Sequence, residues 1–148
     1  MRIALAADHA GYVLKDELAA WLREAGHDVL DLGTNGPESV DYPEFGARLA
    51  NAVAGGQAER GIVVCGSGIG VSIAVNRNPA CRCARVSEPL SAALAREHND
   101  ANVLALGARL TGSDMAKACV QAFLGTQFAG GRHQRRVDQL SQLLQESD

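Results

Sequence analysis

Gly61-Ile62-Val63-Val64-Cys65-Gly66-Ser67-Gly68-Ile69-Gly70 reads as a buried strand that runs straight into a glycine turn and a helix start. The apolar run before the turn suits a strand covered on both faces, as in the interior of a parallel sheet. A thiol at its carboxyl end sits where the unpaired N–H groups and partial positive charge of a helix start favour thiolate over thiol. The glycines let backbone N–H groups come close to an anion or oxyanion. A base beside an oxyanion cradle points to proton chemistry on a small anionic substrate.

Outward from this segment, strand and helix signals alternate. Residues 2–7 read as a strand, and Tyr12, Leu14, Leu18, Trp21 and Leu22 recur at helical spacing through 11–25, closed by Gly26. A strand at 28–32 ends in the loop Gly33-Thr34-Asn35-Gly36-Pro37, and a helix from Pro43 to Ala54 stops at Gly55-Gly56. After the strand at 61–65 come a helix at 68–76, a strand at 82–87, a helix from Pro89 to His98, a strand at 102–106 and a helix at 113–124. Five β-α units predict an α/β, three-layer αβα sandwich with a five-stranded parallel sheet. The flavodoxin-like order 2-1-3-4-5 is the expectation. Its switch point between strands 1 and 3 brings the loops Asp8-His9-Ala10-Gly11 and Cys65 to Gly70 together. Gly130-Gly131 then breaks the chain before a tail, 130–148, where Val137, Leu140, Leu143 and Leu144 predict a last helix free to reach a second copy.

A length of 148 residues predicts one domain, 1–148, and 47% hydrophobic content supports a core. A net charge of −3 gives no footprint for nucleic acid. No apolar run approaches the roughly 20 residues of a membrane span. The amino terminus opens directly into a strand without a signal-peptide plan, so the expected location is the cytoplasm. Cys81, Cys83 and Cys119 read as reduced, packed thiols, and no His/Cys cluster has zinc spacing.

The glycine run lacks the Lys-Ser/Thr pair of a phosphate-binding P-loop. Val71 stands where a dinucleotide fingerprint needs its third glycine, although Glu88 lies near the distance of a ribose-binding acid. Asp8-His9 can be a capping aspartate beside a surface histidine, or a site pair at the switch point. His98-Asn99-Asp100 closes a helix, where the terminal dipole alone would favour histidine. Arg132 and Arg136, four apart, share one helical face and suit a phosphate or plain solvent. Arg109, just past strand 5, also has a loop position suited to an anion.

Together, Asp8-His9-Ala10-Gly11, Asp41-Tyr42-Pro43, Cys65-Gly66-Ser67-Gly68-Ile69-Gly70, Ser87-Glu88-Pro89, His98-Asn99-Asp100-Ala101-Asn102-Val103-Leu104 and Gly130-Gly131-Arg132-His133 closely resemble the type B ribose-5-phosphate isomerases, of the wider ribose/galactose phosphate isomerase family. The resemblance covers essentially the whole chain. It implies a metal-free, cofactor-free aldose–ketose isomerase of the non-oxidative pentose phosphate pathway, working through a cis-enediolate. On that resemblance Cys65 moves the proton between C2 and C1, His98 opens the furanose ring and Asp8 assists at the ring or its hydroxyls. The Ser67 hydroxyl with the amides of Gly66, Ser67, Gly68, Ile69 and Gly70 holds the enediolate oxygen. His9, Arg132 and Arg136 bind phosphate, and Asn99 and Arg109 make further substrate contacts. It also implies homodimers, sometimes paired into tetramers, with sites built from both subunits. One branch of the family uses a glutamate base at the position of Val71, so this chain resembles the cysteine type.

The chemistry is consistent with that assignment. Removing a proton α to a carbonyl needs a base and an electrophile for the developing oxyanion, and no redox cofactor. Side-chain identities do not measure a pocket, so allose 6-phosphate, a tetrose phosphate and galactose 6-phosphate stand beside ribose 5-phosphate. A non-catalytic phosphate- or nucleotide-binding module is the competing class.

Overall fold

The computed structural model describes residues 1–143. In chain order these form β1 (Arg2–Ala7), α1 (Tyr12–Glu24), β2 (Asp28–Asp31), α2 (Tyr42–Ala54), β3 (Arg60–Cys65), α3 (Ile69–Val75), β4 (Cys83–Arg85), α4 (Pro89–Asn99), β5 (Val103–Gly107), α5 (Ser113–Gly125) and α6 (Arg132–Leu143). Leu144, expected in the tail helix, lies outside the described residues.

Every strand pairing is parallel. The order is β2-β1-β3-β5-β4 rather than the expected 2-1-3-4-5. The last two strands exchange places because their residues suit different positions. All five residues of β5, Val103 to Gly107, are buried and fill an interior position. β4 has three residues, all half-buried, and carries Arg85, which suits an edge.

This exchange moves a helix between layers. Crossovers between parallel strands are right-handed, so a step back across the sheet puts its helix on the opposite face. β4 to β5 is such a step, and α4 accordingly joins α1 and α5. That layer buries Leu14, Leu18, Leu22, Ala92, Ala95, Val120 and Phe123 against Ile3, Leu5, Ile62, Val64, Leu104 and Leu106. The other layer packs Phe45 and Leu49 of α2 and Val71 and Val75 of α3 on Ala4, Ala6, Val63, Cys65 and Ala105.

Lys15 of α1 is wholly buried. Its Nζ donates to both oxygens of Asp31, at 2.7 and 2.9 Å, and to Asn35 Oδ1 at 2.8 Å, with Asp16 Oδ1 at 2.9 Å. The same loop is sewn to the end of β1, where Ala7 N–H donates to Gly33 O and Thr34 N–H donates to Ala7 O, each at 2.7 Å. The buried ammonium therefore helps hold the segment immediately before Asp8.

α6 follows Gly130 and Gly131, both in the left-handed region with φ of 63° and 55°. Against its own chain it buries Val137, while Leu140 and Leu143 stay 46% and 62% exposed. Among the described residues of the tail, these two leucines are therefore left largely uncovered by their own chain.

Candidate active site

Two loops leave the carboxyl edge of the sheet at the expected switch point. Asp8 N–H donates to Val64 O at 3.2 Å, which draws the first loop onto β3. Asp8 Oδ1 then accepts from the N–H groups of Ala10 and Gly11 at 3.0 and 3.1 Å, so the buried carboxylate fixes the turn that opens α1. Gly11 passes so close to Val64 that a side chain there would begin 2.5 Å from its carbonyl oxygen. His9 Nδ1 lies within hydrogen-bond distance of both the N–H and the carbonyl oxygen of Val40, at 3.1 and 3.2 Å, which ties the ring to the segment before α2.

In the second loop, Gly68 takes the left-handed conformation, with φ of 76°. That turn folds its N–H back to donate to Cys65 Sγ at 3.1 Å, while Ile69 N–H donates to Ser67 Oγ at 3.1 Å. Of the five amides expected to cradle an oxyanion, those of Gly68 and Ile69 are therefore committed within the loop. This narrows the amide donors to Gly66, Ser67 and Gly70. A third loop, after β5, closes on the second. Ala108 and Arg109 donate their N–H groups to Cys65 O and Gly66 O at 2.9 and 3.0 Å, and the Arg109 side chain lies over Gly66.

These loops enclose a cleft of about 390 Å³ lined by Asp8, His9, Cys65, Gly66, Ser67, Gly70 and Arg109. Tyr42 and Leu110 line it too. Tyr42 carried no assigned role in the sequence reading. Its aromatic ring, set by the proline-initiated turn of α2, packs directly on Gly70, where an added Cβ would sit 2.8 Å from ring carbons. The signal was a pairing of aromatic and glycine across about thirty residues, which sequence spacing does not reveal.

The remaining candidates gather elsewhere. α4 runs back from the carboxyl edge, so His98 and Asn99 lie at the amino edge of the sheet, beside the starts of β4 and β5. There Asn102, just before β5, donates its N–H to Arg82 O and accepts from Arg82 N–H through Oδ1 at 2.8 Å. The His98 ring stacks on His133 of α6, with centroids 4.6 Å apart and planes within 16°. Partial burial, with His98, Arg132 and Arg136 nearby, holds His133 below the ordinary histidine range. Asn99 and Arg136 line one groove with Leu140 and Leu143. One chain thus holds Cys65 and His98 at opposite ends of its sheet.

Burial pushes the thiols of Cys81, Cys83 and Cys119 up from the ordinary range, in keeping with packed, unreactive sulfur. All four cysteines are unpaired.

A cleft of this kind, at the switch point of a parallel sheet with a thiol on its floor, falls within a recognised class. The Ribose/Galactose Isomerase family profile matches residues 3–140, and the chain belongs to that family. Ribose-5-phosphate isomerase B of Escherichia coli K12 is 48% identical over 144 residues, covering 97% of each chain. A putative sugar phosphate isomerase of Bacillus subtilis is 40% identical over 95% of each. The Clostridium thermocellum ribose-5-phosphate isomerase B structure superposes with a TM-score of 0.99 at 47% identity and covers 100% of both chains. The Mycoplasma genitalium enzyme, with bound ribulose-5-phosphate, gives 0.94 at 37% identity, covering 98% of this chain and 97% of that one.

Proposed function

We propose that this chain acts as a single isomerase domain that interconverts ribose 5-phosphate and ribulose 5-phosphate through a cis-enediolate. The observation that carries the reading is the sulfur of Cys65 on the floor of the cleft, receiving an N–H and bordered by hydroxyl and amide donors. Cys65 removes the C2 proton of the open-chain aldose and returns it to C1, while the proton of the O2 hydroxyl passes to O1 across the cis-enediolate. The electrons stay within the sugar, C1 being reduced as C2 is oxidised, so the step needs no redox cofactor. The Ser67 hydroxyl and the amides of Gly66, Ser67 and Gly70 receive the enediolate oxygen.

His98 opens the ring, Asp8 binds a ring hydroxyl, and His9, Arg132 and Arg136 take the phosphate, with Asn99 and Arg109 as further contacts. Such a site needs two chains, because Cys65 and His98 of one chain are at opposite edges. The protein therefore works as a homodimer in which each cleft receives His98, Asn99, Arg132 and Arg136 from the second copy. The surfaces support this. Ile69, Ile73 and Leu110 beside the cleft are more than half exposed, as is Leu143 beside Arg136. Burial of that apolar area would favour association. A free catalytic thiol suits a reducing compartment, and we place the enzyme in the cytoplasm.

Cys65→Ala tests the reading. Loss of one acid–base group costs about 10²–10⁴-fold in kcat, with ribulose 5-phosphate still bound by calorimetry. A variant that keeps more than about a tenth of its kcat overturns the assignment. Parallel assays on allose 6-phosphate, a tetrose phosphate and galactose 6-phosphate rank the substrates.

A further inference from the structure

Arg85 ends the edge strand β4, half-buried, and its Nε donates to the carbonyl oxygen of Ser67 at 3.0 Å. That carbonyl belongs to the peptide group whose N–H, on Gly68, donates to Cys65 Sγ at 3.1 Å. We propose that Arg85 is a positioning residue for the isomerisation, acting on the Cys65 thiol through the single peptide between Ser67 and Gly68.

Two effects follow from this arrangement. The guanidinium holds the Ser67 carbonyl, which fixes the plane of the peptide and keeps the Gly68 N–H aimed at sulfur. Gly68 stands at φ of 76°, and its peptide also lies against β5, where a Cβ on Gly107 would sit 2.6 Å from Ser67 O, so Arg85 adds a directed hydrogen bond to a peptide already packed on one side. The positive charge also polarises the peptide along its own dipole, carbonyl toward arginine and N–H toward sulfur. Hydrogen bonds in such a chain strengthen one another, and a stronger donor favours the thiolate. The path from guanidinium to sulfur is about 8 Å, taking the peptide O-to-N span from standard geometry. The other titratable groups sharing the cleft with Cys65 are Asp8 and His9 after β1, Tyr42 of α2 and Arg109 after β5. None of these has a hydrogen bond to the Ser67–Gly68 peptide, so the relay belongs to Arg85.

This inference rests on the proposed role of Cys65 and is tested separately from it. The pH midpoint of Cys65 alkylation by iodoacetamide, followed by peptide mass spectrometry, reads the thiol without reference to turnover. Steady-state kinetics are measured beside it for Arg85→Met and Arg85→Lys. The expected result for Arg85→Met is a raised midpoint and a kcat about five- to tenfold lower near neutrality. KM stays within about twofold, because no binding contact is removed. Arg85→Lys, which keeps the charge, recovers a large part of both. A midpoint unchanged in Arg85→Met overturns the relay, whatever happens to thermal stability. So does a raised KM with unchanged kcat, which would make Arg85 a substrate contact. If Cys65→Ala stays active while Arg85→Met moves the midpoint, the relay stands and the assignment of the base falls.

Discussion

Mixing two inactive variants should restore activity, because the cleft and the His98 group occupy opposite ends of one chain. Cys65→Ala disables the carboxyl-edge half, and His98→Asn disables the amino-edge half. In a hybrid dimer one composite site carries both lesions. The other joins the intact Cys65 of one chain to the intact His98 of its neighbour. Random reassortment of equal amounts makes about half the dimers hybrid, each with one working site of two. The mixture should then recover about a quarter of wild-type turnover, from parents that each lack about 10²-fold or more. The assay is co-refolding or subunit exchange of differently tagged variants, isolation of the doubly tagged species and kinetics on ribose 5-phosphate. Isolated hybrids with no activity above the parents would refute the shared site, since a site contained within one chain leaves each hybrid with two damaged copies.

Arg136→Ala should leave the dimer intact by ultracentrifugation and raise KM for the phosphorylated sugar, weakening binding by about 1.5–3 kcal/mol for a lost charge-assisted contact; an unchanged KM would remove Arg136 from the phosphate site. Lys15→Met strands Asp31, whose side chain is only partly shielded at 23% exposure. The loss should fall near the lower end for a broken buried pair, about 3 kcal/mol, or roughly 9 °C in Tm. Thermal unfolding within 2–3 °C of wild type (an order-of-magnitude tolerance, about 1 kcal/mol) would contradict this. Acidification should loosen α6. The folded protein holds His133 below its unfolded value, so the folded state binds fewer protons and stability falls as pH drops from the ordinary histidine range toward the folded one. Proteolysis near Gly130-Gly131 should rise across that window and be unchanged above it; a pH-independent cleavage rate would show that His133 does not report on docking.

Much of the site's local structure was legible because it depends on short-range rules. The run from Gly61 to Gly70 announced a strand, a glycine turn and a helix start with a thiol between them, and that is how the chain folds, with Gly68 supplying the left-handed residue of the turn. Asp8-His9 likewise lies where the switch-point rule puts it. The order of the last strands was misjudged by analogy with a common topology. Yet the contrast between Val103-Leu104-Ala105-Leu106-Gly107 and Cys83-Ala84-Arg85 already marks which one belongs at the edge. That error had a consequence, since the strand order determines the layer of α4. What no spacing discloses is a meeting between distant segments: Tyr42 on Gly70, His98 on His133, Arg85 on Ser67. Each depends on tertiary placement, and each residue taken alone has an ordinary surface explanation.

The proposed half-sites at the two ends of one sheet would also constrain how chains can assemble. Head-to-tail stacking would match each cleft to the next chain's His98 group, but an open stack always ends in one unmatched cleft and one unmatched histidine. A two-fold axis perpendicular to the strands turns the second sheet end for end, so that its amino edge meets the first chain's carboxyl edge, and the reverse. Two chains then complete two sites with nothing left over to recruit a third. On the proposed shared site, specific activity becomes a function of protein concentration: below the dissociation constant of the pair, dilution would leave folded chains in which every cleft lacks its histidine.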